Sequence, residues 1–339
     1  MFLPLNYIPG GAYCVRPRIS PPAEESNIEK LTFASGRVPM KLPFVVCGAT
    51  GNIGSRIAEI LLAAGEPVRA VGRERVRLGP LASKGAEPWP GDLGDTAFLG
   101  EAFSGARGAF ILIPPKYDAT DFREYQNRIG ASLVSALSKA RIPRIVALSS
   151  VGAHLAEGTG PVLGLHDLET RLNTLKDAEV VVLRPSYFME NLLWSIPLIR
   201  NQGINGSPIR PDVPIPMVAT EDIAEVTANI FIEGVFHGHT VLYLLGPRDL
   251  TMSEATRILG EAIGKPGLKY VQFSEDDARK AMTAGAGMSG SVVEAMLEMQ
   301  RGFNAGIIRP TRERSAERTT TTLESFSKSV FARAYRVAA

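Results

Sequence analysis

Cysteine is almost missing from this chain of 339 residues: only Cys14 and Cys47 occur, and Cys47 sits inside an apolar run. Two cysteines so placed make no disulfide framework, which fits a reducing, cytoplasmic setting. No apolar stretch reaches the roughly 20 residues of a membrane-spanning helix. An excess of one charge is lacking too. The 37 Lys and Arg are mixed with 35 Asp and Glu for a net charge of +2, so no direct nucleic-acid surface is expected. Histidine is scarce; His237 and His239 precede a strand with no third ligand to match them, so no metal site is expected. Ser149-Ser150 lacks a nucleophile elbow and a triad, which disfavours hydrolysis. No internal repeat exists beyond an alternation of strands and helices. What remains has the composition of an ordinary soluble globular protein, 45% hydrophobic and 21% charged.

The chain is organised around residues 44–58. The apolar run Phe44-Val45-Val46-Cys47 breaks into Gly48, Gly51 and Gly54, and Ile57, Ile60, Leu61 and Ala64 then recur on one helical face before Gly65. Strand, glycine turn and helix in that order form the phosphate-binding corner of a Rossmann unit. The first glycine permits the tight turn. The second lets the backbone approach a pyrophosphate, which rests on the free N–H groups of the helix. The third lets helix and strand pack closely.

The first 39 residues differ. Pro4, Pro9, Gly10 and Gly11 interrupt the apolar start, and Pro17, Pro21, Pro22, Glu24 and Glu25 continue it. This makes a poor signal peptide and reads as a disordered extension, consistent with an upstream start codon. The folded domain is expected over 40–308, with a dinucleotide-binding core at about 40–185 and a smaller, mainly helical cap at 186–308. Residues 309–339 are expected as a tail with a short helix that docks or frays.

Pro67 to Arg73 reads as the second strand, ending about 20 residues past the glycines, where such folds choose their cofactor. An acid there would bind the ribose of NAD. Arg73 instead suits a 2′-phosphate and favours NADPH over NADH, although Glu74 could reach a ribose. A third strand ends at Asp92-Leu93, placed to meet the adenine edge; the rival reading of Asp92 is a cap for the helix from Thr96. Gly108 to Pro115 is a fully apolar fourth strand whose Ile113, Pro114 and Pro115 would wall the cofactor. Further strands at 144–150 and 179–185 complete a doubly wound parallel α/β sheet. Thr220 and Thr251 are expected to cap helices in the cap region.

Gly48-Ala49-Thr50-Gly51-Asn52-Ile53-Gly54 resembles the opening of the NmrA-like, atypical branch of the short-chain dehydrogenase/reductases. Three further stretches agree in order and spacing: Leu183 to Asn191, Ala219 to Ala224, and Leu245-Gly246-Pro247 with the Thr251 helix. The resemblance spans roughly 42–306. It implies an NAD(P)-binding Rossmann domain with a small substrate domain, in a family that holds quinone reductases, other reductases and cofactor-binding redox sensors. It places Thr50, Gly51, Asn52 and Ile53 on the pyrophosphate, Arg73 on the 2′-phosphate, Asp92 and Leu93 near adenine, and Tyr187 and Phe188 by the nicotinamide.

One departure matters. Classical members of the superfamily use a Tyr-x-x-x-Lys pair, and none of the eight tyrosines here has a lysine four residues on. His166 stands where the lysine is often kept, with Glu169 one turn later, and is expected to hold a ribose hydroxyl or pass a proton. A helix-start histidine without such a role is the rival. Ser150 would hydrogen-bond a carbonyl substrate, or simply form a turn. Met282, Met288, Met296 and Met299 are candidates to line an adaptable apolar pocket. The expected function is an NAD(P)H-dependent oxidoreductase acting on a quinone or small carbonyl compound. The alternative is a non-catalytic cofactor sensor that signals to a protein partner.

Overall fold

The computed structural model describes residues 41–311 and 315–337, so the extension expected at 1–39 lies outside the described residues. Strands and helices alternate strictly through the first part: β1 (Phe44–Cys47), α1 (Asn52–Ala63), β2 (Val68–Gly72), α2 (Arg75–Ala82), β3 (Glu87–Pro90), α3 (Thr96–Phe103), β4 (Gly108–Ile111), α4 (Phe122–Ala140), β5 (Arg144–Leu148), α5 (Leu163–Leu172) and β6 (Glu179–Pro185). The remainder adds β7 (Tyr187–Phe188), α6 (Ile196–Gln202), β8 (Ile204–Ser207), β9 (Ile215–Val218), α7 (Thr220–Glu233), β10 (His239–Leu245), β11 (Asp249–Leu250) and α8 (Met252–Ala262). It ends with β12 (Lys269–Gln272), α9 (Glu275–Lys280), α10 (Gly290–Asn304), β13 (Ser315–Arg318), α11 (Leu323–Phe326) and α12 (Ala332–Val337).

The main sheet has eight parallel strands in the order β13-β10-β6-β5-β4-β1-β2-β3. β1 is central because its side chains are apolar on both faces. Phe44 and Val46 join a core under α1 and α7, while Val45 and Cys47 join a second core under α3, α4 and α5. Burial pushes the Cys47 thiol up to about 12, so it is inert packing rather than a redox group. Proline is tolerated in β3, which holds Pro88 and Pro90, because that strand is a sheet edge. The strand order reverses between β2-β1 and β4, and ligands of open α/β sheets bind outside the carboxyl ends at such a point.

A third core belongs to the cap, where Met189, Leu192, Ile196, Met217 and Leu259 pack with Phe326 and Phe331 from the end of the chain. Beyond its helices the cap carries two small sheets, β11-β9-β7 and β12-β8. Their strands are short, and Pro216 interrupts β9, so the alternation that reveals a strand is missing from the sequence. Residues 315–337 dock: β13 extends the main sheet, and Thr321 donates through N and Oγ1 to the buried Asp222. Among the described residues no helix is long and apolar enough to cross a membrane.

Candidate cofactor and substrate site

The glycine turn follows β1 at the carboxyl edge, and each of its glycines is required for a different reason. Gly48 has φ +64°, a left-handed conformation that favours glycine. A Cβ on Gly54 would lie 2.4 Å from the Gly48 carbonyl oxygen, so α1 can sit this close to β1 only without a side chain there. A Cβ on Gly51 would approach only that same oxygen, at 3.4 Å, and would otherwise point into free space. Gly51 also opens α1 with no side-chain cap and no acid in the first turn. The leading N–H groups of α1 are therefore left to an outside anion. These residues fit a dinucleotide pyrophosphate.

From this turn a cleft of about 520 Å³ runs under the cap. Gly48, Gly51, Asn52, Ile53 and Gly54 form one end, and Ile113, Pro114 and Pro115 form a wall beside it. Ser149, Ser150, Ser186, Tyr187 and Phe188 line the carboxyl ends of β5 and β6, and Tyr117, Trp194, Met296, Met299 and Phe303 close the cap side. The exposed Trp194 meets Tyr117 edge to face, with centroids 5.6 Å apart. Tyr187 meets Phe303 in the same way at 6.1 Å. Among the described residues no Lys, Arg or His lines this cleft, and Glu190 is its one carboxyl.

Several expected residues lie outside the cleft wall. Arg73 is exposed at the end of β2, and Arg73 and Asp92 both lie near enough to Tyr125 for their charges to act on its phenol. Asp92 Oδ1 accepts from the Gly94 N–H at 2.6 Å, and the cap of α3 is Asp95 instead. Leu93 has its side chain in the second core. The Thr50 carbonyl accepts from Arg77 Nη2 at 3.1 Å, so Arg77, which carried no motif to mark it, ties α2 to the glycine turn.

His166 is held on α5 with Nδ1 2.9 Å from the Ala153 carbonyl oxygen; its neighbour Leu165 lines the cleft. Glu169 does not serve His166. It forms a buried ion pair with Arg184, whose Nε lies 2.9 Å from its Oε1, and it also accepts the Ser149 hydroxyl. Arg184 donates to the Tyr243 hydroxyl at 3.0 Å. Ser150 Oγ donates to the Val151 carbonyl at 3.0 Å. Met282 and Met288 pack inside the cap, while Met296 and Met299 line the cleft as expected.

Thr220 is the first residue of α7, not its cap. The Glu190 carboxylate caps the helix from outside, accepting the Thr220 N–H at 3.0 Å and its hydroxyl at 2.6 Å. The cap position itself is Ala219, which has no side-chain acceptor, so α7 draws its acceptor from a distant stretch. Burial pushes the Glu190 carboxyl above the ordinary carboxylate value, against the pull of those hydrogen bonds. A carboxyl raised by folding stabilises the protein when protonated, and that share is lost as pH rises from 4.5 through the folded-state value. Glu190→Gln should therefore gain on the wild type across that rise and hold a constant difference above it, in melts at a series of pH values. A difference independent of pH throughout would reject this account.

A model of the NmrA-like family matches residues 40–327. The chain belongs to that family. Among relatives, the NAD(P)H azoreductase of Xenophilus azovorans is 27% identical over 256 residues, 75% of this chain and 85% of that protein. The NADPH-complexed quinone oxidoreductase of Escherichia coli superposes with a TM-score of 0.71 at 21% identity, over 85% of this chain and 99% of that one. NmrA, a negative transcriptional regulator solved with NADP, gives 0.69 at 16% identity, over 88% and 98%. The last two establish a shared fold. The chain is thus similar in fold to a reductase and to a regulator, and it has the eight-stranded sheet and capped cleft described above.

Two cleft phenols of this NmrA-like chain are shifted the wrong way for a proton donor. Burial raises the Tyr187 and Tyr117 phenols above their ordinary value, and among the described residues no lysine lines the cleft to oppose it; Lys116, beside Tyr117 in sequence, pairs with Asp118 instead.

Proposed function

We propose that the protein is an NADPH-dependent oxidoreductase that delivers hydride to a neutral quinone beneath the cap, with a small carbonyl compound as the weaker acceptor. The observation that carries this reading is the continuity of one cleft, from an anion-ready glycine turn to an aromatic, cation-free chamber. The bound dinucleotide would supply the hydride. Gly51, Asn52 and Ile53 would hold its pyrophosphate, Arg73 its 2′-phosphate, and Asp92 its adenosine end. Tyr187 and Phe188 would flank the nicotinamide, and Ile113 and Pro114 would keep water from it.

The shortage of proton donors favours a quinone. Ser149 and Ser150 have both given their protons to protein acceptors, His166 is bonded to a backbone carbonyl, and the phenols resist ionisation. A quinone tolerates this because hydride addition leaves a delocalised anion, whereas an aldehyde would leave a localised alkoxide that needs a proton at once. The same shortage supports the second reading, a cofactor sensor without turnover. NADPH oxidation, followed by absorbance with a panel of neutral quinones, decides between them. Tight NADPH binding with no oxidation by any acceptor would establish the sensor.

Cofactor choice has its own test. Arg73→Ala should weaken NADPH by about tenfold or more while sparing NADH, the size of one charge-assisted contact to phosphate. Calorimetric losses of equal size for the two cofactors would remove Arg73 from the 2′-phosphate.

A further inference from the structure

Three serines meet where β5 and β6 end. The Ser149 N–H donates to the Leu183 carbonyl at 2.7 Å and the Val151 N–H to the Pro185 carbonyl at 3.0 Å, so the 149–151 turn runs beside β6 up to Ser186. All three serines line the cleft. Their hydroxyls differ in one respect. Ser149 donates to Glu169, which Arg184 holds in place, and Ser150 donates to Val151. Ser186 is 7% exposed, and its Oγ has no hydrogen-bond partner. Its main chain is fixed, since the Ser186 N–H donates to the Leu244 carbonyl at 3.0 Å.

A buried hydroxyl left unpaired is costly, and such groups are few in native proteins. Here the unpaired group belongs to a cleft residue, next to the two aromatic side chains read as flanking the nicotinamide. We propose that the Ser186 hydroxyl is the donor that holds a carbonyl oxygen in this cleft. The inference rests on the oxidoreductase reading for the identity of that carbonyl, which is either the nicotinamide carboxamide or the acceptor's own carbonyl. Neither of the other two serines can take this part without giving up a protein partner. Anions are met by the α1 N-terminus, and among the described residues no cation lines the cleft, so a neutral acceptor oxygen is the group that fits at Ser186.

Ser186→Ala tests this in binding experiments that need no turnover. Calorimetry reads NADPH, and quenching of the half-exposed Trp194 at the cleft reads 2-methyl-1,4-naphthoquinone. One of the two affinities should fall by about five- to thirtyfold, the size of one lost hydrogen bond to a desolvated partner. A fall for NADPH identifies the carboxamide; a fall for the quinone alone identifies the acceptor. In both cases the ligand-free variant should melt at or above the wild-type temperature, since no protein hydrogen bond is lost. Both affinities within twofold of wild type would overturn the assignment. So would a marked fall in the melting temperature of the ligand-free variant, which would make the hydroxyl structural. If the wild type oxidises no NADPH, the function proposed above fails while these binding measurements still decide the role of Ser186.

Discussion

Gly54→Val should abolish NADPH binding and lower the melting temperature, whereas Gly51→Ala should weaken NADPH binding and leave the melting temperature unchanged. The contrast follows from what each side chain would meet. At Gly54 the first added carbon falls 2.4 Å from the Gly48 oxygen, 2.7 Å from the Gly48 carbonyl carbon and 3.0 Å from the Ala49 nitrogen, all backbone atoms that no rotamer change can move aside. Relief requires α1 to shift off β1. That would loosen Ile57, Ala58 and Leu61, which are fully buried on the face of α1 that packs on the sheet. Overpacking of this kind typically costs about 1–3 kcal/mol, and a branched side chain against fixed backbone belongs at the upper end. The turn would lose its shape along with the helix, and the anion site with it.

At Gly51 the backbone is extended, with φ −98° and ψ 172°, so alanine carries no conformational strain, and its contact of 3.4 Å is tolerable. The added methyl would occupy only the space over the helix N-terminus that a pyrophosphate needs. Calorimetry and thermal melts on the two variants separate these effects. Unaltered NADPH affinity in Gly51→Ala would show that no ligand approaches that carbon, and would remove the turn from the cofactor site.

The core of this fold was legible because its signals are local. Phe44–Cys47 is apolar on both faces, the three glycines have three separate local causes, and α3 starts at Thr96 and β6 spans Glu179–Pro185 as read from the sequence, although Asp95 rather than Asp92 caps α3. The cap was less legible because its order comes from distant partners. β8 finds β12 more than 60 residues later, and β13 is a polar stretch that becomes a strand by pairing with β10. The site divided the same way. The three glycines of the turn could be named from spacing, and Thr50, Asn52 and Ile53 from the family resemblance. The roles of Glu169, Glu190, Arg77 and Ser186 depend on which side chain arrives from elsewhere. A sequence places Glu169 one helical turn from His166; only the fold brings Arg184 to it across α5 and β6.

That pairing carries the other large effect. Glu169→Ala should cost about 3–5 kcal/mol of stability, because it leaves the Arg184 guanidinium buried without a counter-charge. The side chains of Arg184 and Glu169 are only 8% and 11% exposed, so water cannot take the place of the lost carboxylate. Arg184 would keep its bond to Tyr243, a neutral phenol that offsets little of the charge. Replacing both partners should be far milder: Glu169→Leu with Arg184→Met buries no charge at all, and such exchanges are often neutral or stabilising. The double-mutant cycle built from Glu169→Leu, Arg184→Met and the two together should therefore show strong coupling, with the double variant more stable than Glu169→Leu alone. It would also free the Ser149 hydroxyl from its acceptor and return a donor to the cleft beside Ser186. Chemical denaturation of the single and double variants measures the coupling. Additive losses would mean that Arg184 reaches solvent or another acceptor once Glu169 is gone, and that the pair does not lock the end of β6 against α5.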